Sequence, residues 1–193
     1  LAIEVLNNGD IIGGATAGAD LDFDGNLLLK ADGDIGTQAA PIRVEAGTVS
    51  VQAGSDSGDE IHLSSRSDAL VIADVQLQNH RNEVVAQGQG VRGGGDIDIR
   101  LESTNPSVLD QRSTLQSTNG SVGLSLQNGS ISQQAGSTIA AGNTVAFSLP
   151  GDVGTFDSGT ASEVSIQASS VVLDVGGDAI LQQSSGDLTV ESQ

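Results

Sequence analysis

The sequence predicts an all-β chain wound as a parallel β-helix, and three observations carry that expectation. Short runs alternate apolar and polar residues, as in Leu21-Asp22-Phe23, Val49-Ser50-Val51, Ile97-Asp98-Ile99, Val122-Gly123-Leu124-Ser125-Leu126 and Leu188-Thr189-Val190. Strict alternation of this length marks half-buried strands. The runs are bounded by Asn8-Gly9, Asp24-Gly25, Asp32-Gly33, Asn119-Gly120 and Asn128-Gly129, residues that accept turn geometry at low cost. Finally, Gly33-Asp34-Ile35-Gly36-Thr37 returns as Gly151-Asp152-Val153-Gly154-Thr155, and fixed-pattern recurrence is the mark of a repeat architecture. No stretch has a convincing helical period.

The elements follow in chain order. After each copy of the motif comes a matching pair of strands. Ile42 to Val51 lines up in apolar phase with Val164 to Leu173, then Gly58-Asp59-Glu60-Ile61 with Gly177-Asp178-Ala179-Ile180, then Asp68-Ala69-Leu70 with Gly186-Asp187-Leu188. Sandwiches and barrels give no reason for such an in-phase repeat, and propeller blades would carry an aromatic signature. Two stretches break the rhythm: Gln76 to Glu83, which is polar, and Gln87 to Gly95, whose glycines are poor strand formers. Together, residues 76–95 are expected to protrude from the rod as a loop or enlarged turn. Residues 102–118 are weakly patterned, and Pro106 is expected outside any central strand. At roughly 20–25 residues per coil the chain makes about eight or nine coils. With strands ~4.8 Å apart that is a rod on the order of 40 Å long. The chain begins at Leu1 and stops at Gln193 in mid-pattern, so residues 1–193 are expected to be one solenoid segment of a longer chain.

Composition narrows the function classes. Against 25 acidic residues stand 7 basic ones, a formal net charge of -18. Such a surface repels nucleic acid and anionic lipid, and no nucleic-acid partner is expected. No apolar run is long enough to span a bilayer as a helix. The aromatic residues are Phe23, Phe147 and Phe156 alone, so aliphatic side chains must fill a thin, regular interior. There is no cysteine, which removes thiolate metal sites and thiol chemistry.

At the motif, the sequence resembles the large filamentous haemagglutinin-like adhesins of bacteria. The residues that carry the resemblance are Gly33 to Thr37, Ala39-Ala40, Pro41-Ile42-Arg43-Val44-Glu45-Ala46 and Gly47-Thr48-Val49-Ser50-Val51. The resemblance implies a right-handed β-helix, exported by two-partner secretion and found at the bacterial cell surface or outside the cell. The family's N-terminal secretion domain is not recognisable here.

Candidate chemistry is sparse. Asp20-Leu21-Asp22-Phe23-Asp24-Gly25 places three carboxylates at alternate positions before a glycine, as in the first half of a calcium loop, but Ala31 stands where such a loop needs a bidentate Glu. Asp20, Asp22 and Asp24 are therefore the one candidate metal site, for calcium. The competing reading is a strand with Leu21 and Phe23 inward and the carboxylates outward. His62 and His80 lack metal-ligand spacing and are expected at exposed or turn positions. No Gly-x-Ser-x-Gly elbow holds a nucleophile. Asp96, Asp98, Arg100 and Glu102 alternate and share an outward face, which keeps a polysaccharide-processing enzyme as the alternative, although a charged solvated strand explains them as well. Asn119-Gly120-Ser121 and Asn128-Gly129-Ser130 fit the glycosylation pattern but are already explained as turns.

The expected function is thus a non-catalytic extracellular stalk that gives reach and surface presentation, without a cofactor. A calcium-responsive adhesin segment is the second reading. Expected partners are a host-cell, bacterial-cell or matrix receptor and other copies of the chain associating side by side.

Overall fold

A computed structural model describes residues 1–14, 18–22, 24–157 and 160–192. Among them there is no helix; strands alone make the fold, and parallel sheets stack as a β-solenoid of about seven turns. One face is a column of eight parallel strands: Leu21–Asp22, Ile42–Glu45, Ile61–Ser65, Ile97–Leu101, Val122–Leu126, Thr144–Leu149, Ser170–Val175 and Thr189–Ser192. A second face stacks Ala2–Val5, Asn26–Ala31, Thr48–Gln52, Val91–Gly93, Leu115–Ser117, Ile139–Ala141, Val164–Gln167 and Leu181–Gln183. A third stacks Ala69–Ile72, Ser107–Gln111 and Gly129–Gln133, and Ile131 continues it to Val153 and Ala179 by single bridges. No helix among the described residues is long and apolar enough to cross a membrane.

Alternation decides what fills the interior. On the first face Ile97, Ile99 and Leu101 pair with Val122, Leu124 and Leu126, and Leu124 continues to Phe147 and Leu173. Like side chains therefore lie on like, coil after coil, and the resulting apolar column is continuous and buried. Burying each such side chain contributes about 1.5–3 kcal/mol, and the ladder bonds of each strand are satisfied by its neighbours above and below. Phe147 lies wholly inside; Phe23 lies outside the described residues.

Coils are shorter in number than expected because one of them is long. Side-chain bonds between adjacent coils mostly join residues 22 to 26 positions apart, but Ser50 reaches Gly90 across 40 positions. The excess is inserted at a single point. Thr48–Gln52 pairs with two strands at once: Val49 with Ile72 and Val51 with Val91. Where the earlier coil has Ser50 alone, the next has Ala73–Gly90. Much of that insertion is an antiparallel hairpin, Val75–Gln78 with Val84–Gly88, closed by a turn in which Asn82 has φ 60°.

The expectation of a protruding loop or enlarged turn at 76–95 is corrected at its C-terminal end. Residues 76–88 form an ordered hairpin that lies against the strands 26–31 and 48–52. Val91-Arg92-Gly93 is not excursion at all but a strand of the second face, buried at Val91 and Gly93. Glycine is tolerated there because the strand is short and paired on both sides, to Thr48–Gln52 and to Leu115–Ser117. The hairpin also explains the run Leu27-Leu28-Leu29, which breaks alternation. Leu27 and Leu29 join the core, while Leu28 faces outward yet is only 1% exposed. Gly88 sits over it, so close that a Cβ would come 2.4 Å from both Leu28 Cδ1 and Ser50 Oγ. The weakly patterned residues 102–118 hold two strands, and Pro106 immediately precedes the first, outside it.

The twice-written motif proves to be a corner device. In the first copy, Ile35 bridges Ile11 below and Ile61 above; in the second, Val153 bridges Ile131 and Ala179. Asp34 accepts the Glu60 N–H at 2.8 Å, and Asp152 accepts the Asp178 N–H at 2.9 Å. The glycine that follows has a left-handed φ in each, 75° at Gly36 and 100° at Gly154, and turns the chain outward into an excursion. The copies nevertheless stand on different faces. The first leads into Ile42–Glu45 of the eight-strand face, the second into Val164–Gln167 of the second face. The alignment of Ile42–Val51 with Val164–Leu173 is thus a likeness of pattern, with the order of faces exchanged.

Candidate functional site

A cluster of ionisable side chains stands on the outer surface of the eight-strand face. There the register sets His62 beside Asp98 and Asp98 beside Gly123, with Ser64, Arg100 and Ser125 in the next row. Glu60 and Asp96 precede the two strands on the same side. Glu60, His62, Asp96, Asp98, Arg100 and Gly123, with Gln38 from the excursion after Gly36 and Ser121, line an open cleft of about 400 Å³. Gly123 lacks a side chain, which leaves the floor open beside Asp98.

Local bonding gives each acidic group an internal partner. Glu60 Oε2 lies 2.7 Å from His62 Nε2. Asp98 is bound by the Arg100 guanidinium, and Asp96 Oδ1 accepts the Ser121 N–H at 2.7 Å. His62 is 5% exposed, which corrects its expected exposed or turn position: it lies within a central strand. Its Nδ1 faces Asp98 Oδ2 at 3.8 Å and has no hydrogen-bond partner. At that distance Asp98 is an electrostatic neighbour, and its carboxylate is the largest influence raising the His62 pKa; burial opposes it and Glu60 adds to it. Burial pushes the Asp98 carboxyl up, but His62 and Arg100 outweigh that and hold it below the usual carboxylate range.

The alternation of Asp96, Asp98, Arg100 and Glu102 is legible in the sequence; their meeting with Glu60 and His62 is not. Glu102 stands apart from the cleft, 3.9 Å from Arg66. A usable signal exists in the shared pattern of Glu60-Ile61-His62-Leu63 and Asp96-Ile97-Asp98-Ile99. The hairpin between them hides it by lengthening that coil.

The candidate calcium residues are divided between two settings. Asp20 accepts the Gly14 and Arg43 N–H groups, both at 3.0 Å, and pairs with the Arg43 guanidinium at 3.2 Å. Partial burial raises its pKa, and these bonds from Arg43 and Gly14 bring it below the usual value. Asp22 and Asp24 are exposed and border a separate open cavity of about 370 Å³ with Glu45. Leu21 packs on the core with its strand paired to Ile42–Glu45. Among the described residues no three His, Asp or Glu side chains are grouped to hold a metal ion.

Comparison of the chain with family models, with curated proteins and with solved structures returns no match.

Proposed function

We propose that the chain is a non-catalytic spacer: a stalk segment of an extracellular bacterial surface protein that sets reach and presents adhesive surfaces. One observation carries the reading. Among the described residues the apolar column is buried from Ile11 to Val171 while the long insertion Ala73–Gly90 is displaced outward, so a coil is an interchangeable unit of height. About seven turns at ~4.8 Å each span roughly 35 Å. The sequence resemblance to filamentous haemagglutinin-like adhesins and the acidic surface support an extracellular setting.

The reading is tested by excising one coil in register. Val122 stacks on Val145, so removing residues 122–144 joins equivalent points. The shortened chain is expected to keep its β spectrum and a cooperative melt. Loss of folding would count against interchangeable coils. Incubation of the intact chain with acidic polysaccharides is expected to release no reducing ends or unsaturated products; turnover would overturn the non-catalytic reading. The adhesive part is tested with beads coated in the chain. Attachment to host cells, bacteria and matrix no better than that of albumin-coated beads would remove it.

A further inference from the structure

We infer that His62 is a proton-operated latch between the coil of Ile61–Ser65 and the coil of Ile97–Leu101. The inference rests on geometry. His62 is 5% exposed within an eight-strand sheet, at the join between two coils whose connecting chain carries the hairpin. One ring nitrogen, Nε2, is 2.7 Å from Glu60, which immediately precedes its strand. The other, Nδ1, is directed at Asp98 of the next coil and lacks any hydrogen-bond partner. A buried polar atom without a partner is costly unless its charge state makes use of the neighbour.

The two protonation states treat the join oppositely. In the neutral ring, Nε2–H donates to Glu60 and the Nδ1 lone pair faces a carboxylate, which is repulsive. When the ring takes a proton from solvent, Nδ1–H faces that carboxylate and the imidazolium stands between two anions on successive coils. The other charged groups around it fit this assignment. Asp96 and Asp98 face it from the next coil, where Arg100 is already bound to Asp98 and Glu102 is near Arg66. From the preceding coil Arg43 is occupied by Asp20, and Asp34 accepts the Glu60 N–H. The excursion 36–41, which stands in the preceding coil at the His62 position, carries no ionisable side chain. Protonation also changes the cleft's outward charge, from three carboxylates opposed by Arg100 alone to three opposed by Arg100 and the imidazolium.

The sign of the pH dependence follows. The folded pKa of His62 lies above the ordinary histidine value of about 6.5, so its contribution is complete below that value and is lost as pH rises through the folded one. The folded pKa of Asp98 lies below 3.8, so its contribution is present above 3.8 and is lost as pH falls through the folded value. The latch is closed between those limits.

The test is an NMR titration of the imidazoles in the folded chain and in urea, alongside urea unfolding at pH 5.5 and pH 9. His62 is expected to titrate above its urea-unfolded midpoint, and Asp98→Asn to lower that midpoint. The native chain is expected to resist urea better at pH 5.5, and His62→Gln to lose most of that difference. A folded midpoint at or below the unfolded one overturns the latch, as does an undiminished pH dependence in His62→Gln. Should His62→Gln fail to fold, the titrations of the native chain and of Asp98→Asn decide the question alone.

Discussion

Two stretches of chain that occupy the same place in successive coils differ most sharply in this molecule. Between Val49 and Val51 there is one residue, Ser50; between Ile72 and Val91, their partners in the next coil, there are Ala73–Gly90. The buried residues at both ends stay in register while the connecting length changes many-fold. The stack is therefore specified by where apolar side chains meet, and a connection of any length is accepted if it leaves outward. Loop length costs only (3/2)RT ln n in closure entropy, about 0.6 kcal/mol per doubling. Shifting the ladder by one residue would instead turn a whole strand's apolar face to water.

That contrast can be broken from the inside. Val44→Asp places an unpaired charge in the column in the coil of the short connection, and Ile99→Asp does so in the coil that follows the long one. Each is expected to cost more than about 4 kcal/mol and to abolish the cooperative melt followed by circular dichroism. A surviving melt in either variant would mean that the column does not extend evenly across the two regions.

Replacing Ala73–Gly90 by a single serine tests the outside. The two coils should remain stacked, but Leu28 loses its cover, with an expected loss of roughly 2 kcal/mol in urea unfolding. Adding Leu28→Thr should recover solubility without restoring the lost stability. Failure of the hairpin-free chain to fold would show that the excursion helps hold the register it interrupts.

The two corner motifs offer a finer comparison, since they perform the same task on different faces. Gly36→Ala and Gly154→Ala each force a side chain into a left-handed backbone, and a Cβ at Gly36 would lie 2.4 Å from the His62 carbonyl oxygen. About 2 kcal/mol is expected for each, read as a lowered urea midpoint. Asp34→Ala and Asp152→Ala remove the carboxylate that accepts the next coil's N–H, and about 1 kcal/mol is expected from each. Unequal losses within either pair would show that the face, and not the motif, sets the energetics. Smallest of all, Val85→Thr on the exposed edge of the hairpin should change stability by less than about 0.5 kcal/mol.

Much of this is legible in single residues. Alternation in Ile97-Asp98-Ile99-Arg100-Leu101 names a strand and the sides its residues take, and it already groups Asp96, Asp98 and Arg100. The turn residues place the corners, and Gly36 and Gly154 occupy the left-handed conformation that their motif requires. His62 is the instructive failure. Two histidines without metal-ligand spacing read as surface groups, because nothing local to Ile61-His62-Leu63 discloses that Asp98 of the next coil lies beside it. Leu28 fails for a similar reason: its burial comes from Gly88, far along the chain. Asp20 is likewise engaged by Arg43 from the neighbouring coil, which three alternate carboxylates in a row do not reveal.

By itself, then, the sequence determined the all-β class, the parallel solenoid, the inward and outward side of most strands and the turn-forming glycines of the repeated motif. These depend on local backbone preference and on a period of two, which neighbouring residues encode. Tertiary structure alone decided which strand lies on which, and so the number of coils, the faces on which the two motifs stand, the folding back of the hairpin over Leu28 and the meeting of Glu60 and His62 with Asp98 and Arg100. Contacts of that kind depend on register between distant strands, and a single insertion such as Ala73–Gly90 displaces the register in sequence without moving it in space.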